Sequence, residues 1–316
     1  MDASTRTFDL HRKRLLGIAY RMLGSAADAE DVVQDAWLRW NDATLDALNN
    51  PEAWLVTVVT RLSIDRLRSV KLQREHYEGT WLPEPLLTDA PASPEQMLER
   101  ADDISVAFLA VLERLAPESR AAFLLREVFD TDYADLARTL GKSEAACRQL
   151  VHRAKAQIQD ERPRFTVERD VHWRLMQGFA QAAAGGDMER LKALLAEDAE
   201  LVGDSGGKVP AFRKMLRGAQ RIAQYYFSVP RLLGDGLRLE VVEINGEPGL
   251  LRFFNGALES VQTIETDGER ILRIRTQRNP EKLAHIAAHL STRAITRAEL
   301  EALRTPAPDA DAADAP

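Results

Sequence analysis

The sequence predicts a multidomain protein in which two all-α modules precede an α+β domain. Apolar residues recur at helical spacing from about residue 8 to residue 160. From residue 237 the spacing changes to two, and the turn dipeptides Asn245-Gly246, Asn255-Gly256 and Asp267-Gly268 separate the apolar segments, as in an antiparallel meander. A proline-rich stretch at residues 79–100 interrupts the helical half, so we expect two helical modules before the sheet.

Length and composition suit a globular protein of about two or three domains. The chain has 316 residues, of which 45% are hydrophobic and 29% are charged, and these values exclude a wholly disordered or collagen-like chain. No apolar stretch is long enough to span a membrane and no secretion signal is apparent, so we expect a cytoplasmic protein without membrane contact. The net charge of −7 leaves room for local basic patches only. Cys147 has no partner for a disulfide within the chain and is expected to be a packed residue.

Local signals place the helices of the first half. Gly24 suits a helix end, Ser25 a helix cap, and Pro51 the first turn of a helix. Ser93-Pro94-Glu95-Gln96 is a second cap of this kind. Helices are expected at about 8–23, 25–40, 51–73, 94–115, 117–129, 132–140 and 143–160.

The second half mixes helices and strands. Helices are expected at about 168–184, 187–196, 210–227 and 280–303. Strands are expected at 237–244, 249–254, 257–266 and 269–276. The tail, residues 305–316, consists mainly of Ala, Asp and Pro and is not expected to join a core.

Residues 132–160 have the pattern of a helix-turn-helix. Gly141-Lys142-Ser143 provides a tight turn between two short amphipathic helices. The outward side of the second helix carries donors that can bind base edges and phosphates: Arg148, Gln149, His152, Arg153 and Lys155. An ordinary helical hairpin with a solvated charged side is about equally compatible with this segment alone.

Two further charged surfaces lie earlier in the chain. Residues 61–74 hold five basic residues and one acidic residue, which suits a nucleic-acid backbone. The nearby Trp37, Trp40 and Trp54 could stack on bases, but a place in the core is favoured for most of them. Asp28, Asp31 and Asp35 lie at helical spacing, which indicates either a solvated surface or a basic protein partner.

Together these segments resemble an RNA polymerase sigma factor of the extracytoplasmic-function class. Residues 8–40, with Asp31-Val32-Val33-Gln34-Asp35-Ala36-Trp37, resemble region 2.1–2.2, residues 54–68 resemble region 2.3–2.4, and residues 104–160 resemble region 4. The implied domains are region 2 at 1–78, a linker at 79–100 and region 4 at 101–163. The implied partners are promoter DNA and core RNA polymerase, through its β′ and β subunits.

The resemblance also implies roles for individual residues. Core polymerase would be bound through Asp31, Gln34 and Asp35. The −35 element would be read by the five outward residues of the helix-turn-helix. The −10 element would be bound by Asn41, Arg61, Arg66 and Arg68, with an unstacked base held in the loop 41–52.

Three motifs resemble those of the sigma-J-like group, whose members carry a fused SnoaL-like domain of the NTF2-like cone fold. They are Trp81-Leu82-Pro83-Glu84-Pro85-Leu86, Asp204-Ser205-Gly206-Gly207-Lys208 and Asn279-Pro280-Glu281-Lys282-Leu283. Ser205 and Glu281 stand where the group usually has Gly and Asp. The resemblance implies that a domain at 165–304 adjusts sigma activity in cis. The expected interdomain regulatory residues are Trp81, Leu82, Pro83, Asp204, Gly206, Gly207, Lys208, Asn279, Pro280 and Lys282.

Two other functions remain open on sequence grounds. The chain could be a helix-turn-helix regulator that never binds polymerase, or its C-terminal domain could bind a small ligand or act as an enzyme. Asp204 near Lys208 is the candidate carboxylate for such chemistry. His285 and His289 lack the glutamate of a zinc-protease motif. We therefore predict no enzyme activity, no catalytic residue, no cofactor and no metal site.

Overall fold

The computed structural model describes residues 3–43, 50–75, 77–88, 105–159, 167–210 and 215–302. These residues divide into two compact units. The described residues of the helical unit lie within 3–75, 82–84 and 105–159. Those of the C-terminal unit lie within 77–81, 85–88, 167–210 and 215–302. The domain boundaries given above remain predictions, and the tail 305–316 lies outside the described residues.

Three long helices begin the helical unit: α1 (Ala3–Leu23), α2 (Ala26–Asn41) and α3 (Pro51–Glu75). Gly24 adopts a φ of +66°, which ends α1, and Ser25 Oγ accepts a hydrogen bond from the Asp28 amide at the start of α2. Trp40 is buried, while Trp37 and Trp54 are half-buried and pack against the same core. The prediction that the tryptophans are mainly core residues is therefore confirmed.

The remaining helices of this unit share that core. They are α4 (Val106–Leu112), α5 (Pro117–Phe123), α6 (Tyr133–Leu140) and α7 (Glu144–Gln159). A π-helix, Leu124–Val128, continues α5. Leu112, Leu124 and Val151 belong to one apolar cluster with residues of α1, α2 and α3, so the described helices pack around a continuous core. The first residues of the predicted helix 94–115 lie outside the described residues.

The C-terminal unit combines helices with a mixed sheet. Its elements in order are α8 (Arg169–Gly185), α9 (Met188–Leu194), β1 (Leu195–Asp204), β2 (Leu216–Arg217), α10 (Ala219–Leu233), a 3₁₀ turn (Gly234–Gly236), β3 (Leu237–Ile244), β4 (Glu247–Phe254), β5 (Ala257–Thr266), β6 (Ile271–Gln277), α11 (Pro280–His289) and α12 (Arg297–Ala302). The strand order among the described residues is β2-β1-β6-β5-β4-β3, in which β1 and β6 are parallel and the other neighbours are antiparallel.

Two of the predicted hairpin turns have the geometry that their sequences favour. Asn245 and Gly246 have φ angles of +50° and +77°, and Asn255 and Gly256 have +47° and +80°. Two successive positive φ angles match the twist of the flanking strands, which explains the Asn-Gly dipeptides. The antiparallel meander β3-β4-β5-β6 is confirmed.

The structure corrects three predicted elements. β1 lies where the sequence predicts no strand, because its apolar residues do not alternate cleanly. Its pairing with β6 is irregular between Leu195 and Glu200. The helix predicted at 210–227 begins only at Ala219, after the short strand β2 and Gly218. The helix predicted at 280–303 breaks after His289, where Ser291 has a φ of +53° and the chain pairs with Leu258 of β5.

No helix within the described ranges is long and apolar enough to cross a membrane. The same ranges contain no group of three or more His, Cys, Asp and Glu side chains arranged to hold a metal ion.

Candidate nucleic-acid and protein interfaces

The helix-turn-helix presents one exposed side of α7. Asp132 caps α6 by accepting from the Asp135 amide at 2.7 Å, Gly141 ends it with a φ of +63°, and Ser143 caps α7 through the Ala146 amide. Four residues of α7 are buried: Cys147, Val151, Ala154 and Ile158. All five predicted −35 residues are exposed: Arg148, Gln149, His152, Arg153 and Lys155.

Neighbouring groups orient the two cations at the ends of this exposed side. Arg148 forms an ion pair with Glu144 at 2.8 Å, and its guanidinium carbon lies 4.7 Å from the ring centre of Tyr133. Lys155 Nζ lies 2.6 Å from a carboxylate oxygen of Glu127. These contacts reduce the conformational freedom that each side chain would lose on binding a phosphate or a base.

The four predicted −10 residues are exposed as well, but three of them are engaged by other side chains or main-chain oxygens. Arg66 binds Asp28 through two nitrogens, at 3.0 and 2.5 Å, and this contact raises the pKa of the arginine. Arg61 donates to the main-chain oxygens of Thr139 and Arg138. Arg68 donates to Glu118 at 2.7 Å. Asn41 is the last residue of α2 and is exposed.

Glu118 on α5 is shared by two basic side chains. Besides Arg68, it accepts from Lys142 of the helix-turn-helix, whose Nζ lies 3.0 Å away. Nearby, Thr57 Oγ1 and Thr139 Oγ1 are 3.1 Å apart. The helix α3, which carries three of the four predicted −10 residues, therefore contacts the helix-turn-helix within the same unit.

The predicted polymerase-binding residues line an open groove of about 440 Å³ between α2 and α3. Asp31, Gln34 and Asp35 form the α2 side together with Leu38, whose exposed fraction is 56%. Leu62 and Asp65 lie on the α3 side. An exposed apolar side chain among carboxylates suits a partner that is both basic and apolar.

Residues of all three sigma-J-like motifs meet in the C-terminal unit around a fully buried carboxylate, that of Asp204. Its oxygens accept from Tyr77 Oη at 2.6 Å, Lys282 Nζ at 2.7 Å, Gln277 Nε2 at 3.1 Å and the Gly206 amide at 3.0 Å. Burial, together with the Asp204 charge, raises the pKa of the Tyr77 phenol, so the phenol keeps its proton and donates it.

Trp81 and Asn279 complete this cluster. Lys282 Nζ lies 4.0 Å from the ring centre of Trp81, within the range of a cation–π contact. Asn279 Nδ2 donates to Tyr77 Oη at 3.0 Å, and Asn279 Oδ1 caps α11 by accepting from the Glu281 amide. We call Tyr77, Trp81, Asp204, Asn279 and Lys282 the Asp204 clasp.

The glycines of the second motif leave room for the clasp. Gly206 has a φ of +56°, and a Cβ atom there would lie 2.5 Å from Asn279 Nδ2 and 2.9 Å from Tyr77 Oη. A Cβ on Gly207 would lie 2.5 Å from Glu78 Oε2. Ser205 has no positive φ, so the position at which this chain departs from the usual motif does not need glycine.

The other motif residues take different positions. Lys208 forms an exposed ion pair with Glu281 at 2.9 Å, and Pro280 is the first residue of α11. Leu82 and Pro83 are buried residues of the helical unit. There, Glu84 Oε2 accepts from the Ala26 amide at 2.8 Å.

Family models match both helical modules. The model for Sigma-70 region 2 matches residues 7–72, and that for Sigma-70, region 4 matches residues 105–158. The ECF RNA polymerase sigma factor SigJ of Mycobacterium tuberculosis is 39% identical over 246 residues, which are 77% of this chain and 78% of that protein. The chain belongs to the extracytoplasmic-function sigma factors.

Two further comparisons, one with another relative and one with a solved structure of SigJ, extend the match to the C-terminal unit. The probable sigma factor SigI of M. tuberculosis is 29% identical over 299 residues, 92% of this chain and 98% of that protein. The crystal structure of M. tuberculosis SigJ matches with a TM-score of 0.71 at 34% identity, covering 88% of this chain and 98% of that one. The predicted fold class, helical sigma regions followed by an α+β domain, is therefore confirmed.

As a sigma factor, this protein binds core RNA polymerase, recognises promoter DNA and promotes transcription initiation. Family membership therefore decides against a helix-turn-helix regulator that never binds polymerase.

Sequence reasoning missed several residues of these surfaces. Leu38 could have been found, because it lies three residues after Asp35 and hence on the same side of α2. Glu118, Tyr77 and Gln277 carry no local signal, since each joins its cluster through contacts with residues distant in sequence.

Proposed function

We propose that the C-terminal unit of this sigma factor restrains the chain segment that joins its two promoter-reading regions. The observation that carries the proposal is the attachment of that segment to the C-terminal unit at two places. Tyr77 and Trp81 enter the Asp204 clasp. Residues 86–88 pair with the edge strand β3 and its turn.

The edge pairing uses both main-chain and side-chain groups. The Leu86 amide donates to Asn245 Oδ1 and the Leu86 oxygen accepts from the Asn245 amide, each at 2.9 Å. The Thr88 amide donates to the Glu243 oxygen at 3.0 Å, and Thr88 Oγ1 accepts from the Gly246 amide. The edge strand therefore holds residues 86–88 through several hydrogen bonds instead of one.

A restrained segment narrows the range of separations that the two regions can adopt, because fixing its backbone removes conformational freedom. The C-terminal unit then tunes which spacing between the −35 and −10 elements is used. The three motifs act here as attachment points, so regulation in cis needs no separate protein.

We assign the promoter contacts to the exposed residues described above. Arg148, Gln149, His152, Arg153 and Lys155 bind the −35 element, and Asn41, Arg61, Arg66 and Arg68 bind the −10 element. The groove formed by Asp31, Gln34 and Asp35 binds the β′ subunit of polymerase, and region 4 contacts β. The sigma factor works in the cytoplasm and catalyses no covalent step, since polymerase makes the RNA bonds.

Run-off transcription on templates with different spacer lengths tests the role of the C-terminal unit. With core polymerase, the wild-type protein is expected to favour one spacer length sharply. Lys282→Met removes the cation that binds both Asp204 and Trp81, and Asn245→Gly removes the Oδ1 acceptor while keeping the positive φ. In both variants the yield of transcript is expected to depend less on the spacer length.

Lys192→Met is the matched control, because Lys192 of the same unit forms an exposed ion pair with Glu189. Its spacer profile is expected to equal that of the wild type. Identical profiles for Lys282→Met, Asn245→Gly and the wild type would refute the restraint while leaving the sigma-factor assignment intact.

A further inference from the structure

A row of buried polar side chains lies on the sheet face beneath α10. Arg252 pairs with Ser260 in the register of β4 and β5, and Gln262 pairs with Thr276 in that of β5 and β6. Alternate residues of a strand share a face, so these side chains lie on the same side of the sheet. Tyr226 of α10 donates to Gln262 Oε1 at 2.8 Å, which identifies this face as the one that α10 covers.

At one end of this row, two guanidinium groups share a single carboxylate. Arg252 Nε donates to Glu259 Oε2 at 2.5 Å, and Arg278 Nη2 pairs with Glu259 Oε1. The exposed fractions are 3% for Arg252, 14% for Arg278 and 2% for Glu259. The cluster holds one more positive charge than negative charge, and a buried unbalanced charge is costly.

The buried Asp204 carboxylate, which lies next to Arg278 in the structure, does not balance this excess. The Asp204 side chain is already paired with Lys282, and only its main-chain oxygen binds the Arg278 amide, at 2.7 Å. Burial opposes ionisation of Glu259, but the charges of Arg252 and Arg278 outweigh it and hold the pKa of this carboxyl below its ordinary value. The carboxylate is therefore ionised at neutral pH and supplies the one negative charge of the cluster.

The two arginines also keep unused donors. Arg252 Nη2 donates to Tyr225 Oη at 3.1 Å, and Arg278 Nη1 donates to the Pro210 oxygen at 2.6 Å. Arg252 Nη1 and Arg278 Nε are buried and have no hydrogen-bond partner among the described residues. Buried donors of charged groups are normally satisfied, so these two nitrogens indicate a further acceptor.

Aromatic rings adjoin the same cluster. The Tyr225 ring lies beside the Arg252 guanidinium. The ring centres of Tyr225 and Tyr226 are 5.0 Å apart, and those of Tyr226 and Phe179 are 4.7 Å apart. Apolar rings around a few fixed polar groups are typical of sites for small organic ligands. One excess positive charge favours a monoanion, and planar guanidinium donors favour a carboxylate.

We propose that the C-terminal unit binds a small organic monocarboxylate through Arg252 and Arg278. The carboxylate accepts from Arg252 Nη1 and Arg278 Nε, and its apolar part contacts the tyrosine rings. No bond is made or broken. Arg278 immediately precedes Asn279, and the Arg278 amide donates to the main-chain oxygen of Asp204. The proposed site therefore adjoins the Asp204 clasp.

Titration calorimetry of the full chain tests this site with benzoate as the probe. Benzamide is the matched neutral ligand, and inorganic phosphate tests a purely inorganic anion. We expect saturable benzoate binding with a Kd of about 1 mM or tighter, and no binding of benzamide or phosphate. Absence of benzoate binding, equal binding of benzoate and benzamide, or binding of phosphate alone would overturn the proposal.

A pair of variants locates the site. Arg278→Met is expected to weaken benzoate binding at least tenfold, because it removes one donor and the excess charge. Arg238→Met is the control, since Arg238 lies over the Phe253 ring but is half-exposed and outside the cluster. Unchanged benzoate affinity in Arg278→Met would refute the site. If Arg278→Met does not fold, the ligand comparison on the wild type still decides.

Discussion

Arg61 Nε on α3 donates to the main-chain oxygen of Thr139, in the last turn of α6, over 2.9 Å. Oxygens in the last turn of a helix lack partners within the helix and attract cations. Arg61 is also an expected −10 contact. In this structure the Arg61 guanidinium therefore binds the C-terminal end of α6, and a −10 contact by Arg61 would require DNA to compete with that helix for it.

Glu118→Gln tests this competition at the neighbouring ion pairs. Glu118 accepts from Arg68 and Lys142, so a neutral amide holds both cations less strongly. Exposed ion pairs are worth about 0.2–1 kcal/mol, and we expect a gain of up to about fivefold in affinity for a forked −10 fragment. Fluorescence anisotropy with the free protein measures it. Glu189→Gln is the control, and an affinity equal to the control's would count against the competition.

Arg148→Ala should weaken binding to a −35 duplex by roughly 1–3 kcal/mol, the value of a bidentate base contact. Arg148 is exposed on α7 and already oriented by Glu144 and Tyr133. The affinity of a complex of core polymerase and this variant for labelled −35 duplexes measures the loss of binding free energy. Arg231→Ala, which removes an arginine stacked on Phe227 in the C-terminal unit, should leave the affinity unchanged. Equal losses in the two variants would remove Arg148 from the interface.

Gly206→Ala should destabilise the protein by roughly 1–3 kcal/mol, because a Cβ adds both strain at positive φ and a clash with the Asp204 clasp. Gly256→Ala separates the two causes, since Gly256 has a φ of +80° and no atom within 4 Å of its added Cβ. Thermal melting is expected to give a larger fall in Tm for Gly206→Ala. Equal falls would mean that the clash has no cost.

Glu247 should make the stability of the protein depend on pH. Burial raises the pKa of this carboxyl to about 7, against 4.5 for an ordinary glutamate, although Arg275 partly opposes the shift. The folded state therefore binds the Glu247 proton more tightly than the unfolded state does. This proton contributes its full amount to the free energy of unfolding below about pH 4.5, and the contribution is lost as the pH rises through about 7.

Urea unfolding of wild type and Glu247→Gln at pH 5 and pH 8 measures this effect. The variant should gain roughly 1–3 kcal/mol over the wild type on going from pH 5 to pH 8. A difference that is the same at both pH values would contradict the prediction.

Local chemistry accounts for the elements that the sequence predicts correctly. Gly141 and Ser143 define the helix-turn-helix turn, and the Asn-Gly dipeptides define the hairpins, because each needs a conformation that few residues adopt. The end of β1 is different. It pairs with the parallel strand β6, and the two paired residues at this end, Asp204 and Gln277, are 73 residues apart in the sequence. No local sequence pattern predicts a pairing between residues so far apart.

The same distinction applies to the candidate sites. The exposed side of α7 follows from helical periodicity around Cys147, Val151 and Ala154. The motif residues Asp204 and Lys282 could be named from the resemblance, but their partner Tyr77 could not, because the contact depends on how the chain returns to the sheet. Arg61 was named as a DNA contact, and its bond to Thr139 is a tertiary feature that periodicity does not contain.

The single cysteine, Cys147, lies fully buried beneath the exposed side of α7, and burial raises the pKa of its thiol. Little reactive thiolate is available at neutral pH, so maleimide reagents should leave the native protein largely unmodified. A thiol introduced at any exposed position is then labelled selectively. Fluorophores can be attached to this initiation factor one site at a time, without first removing a residue from its core.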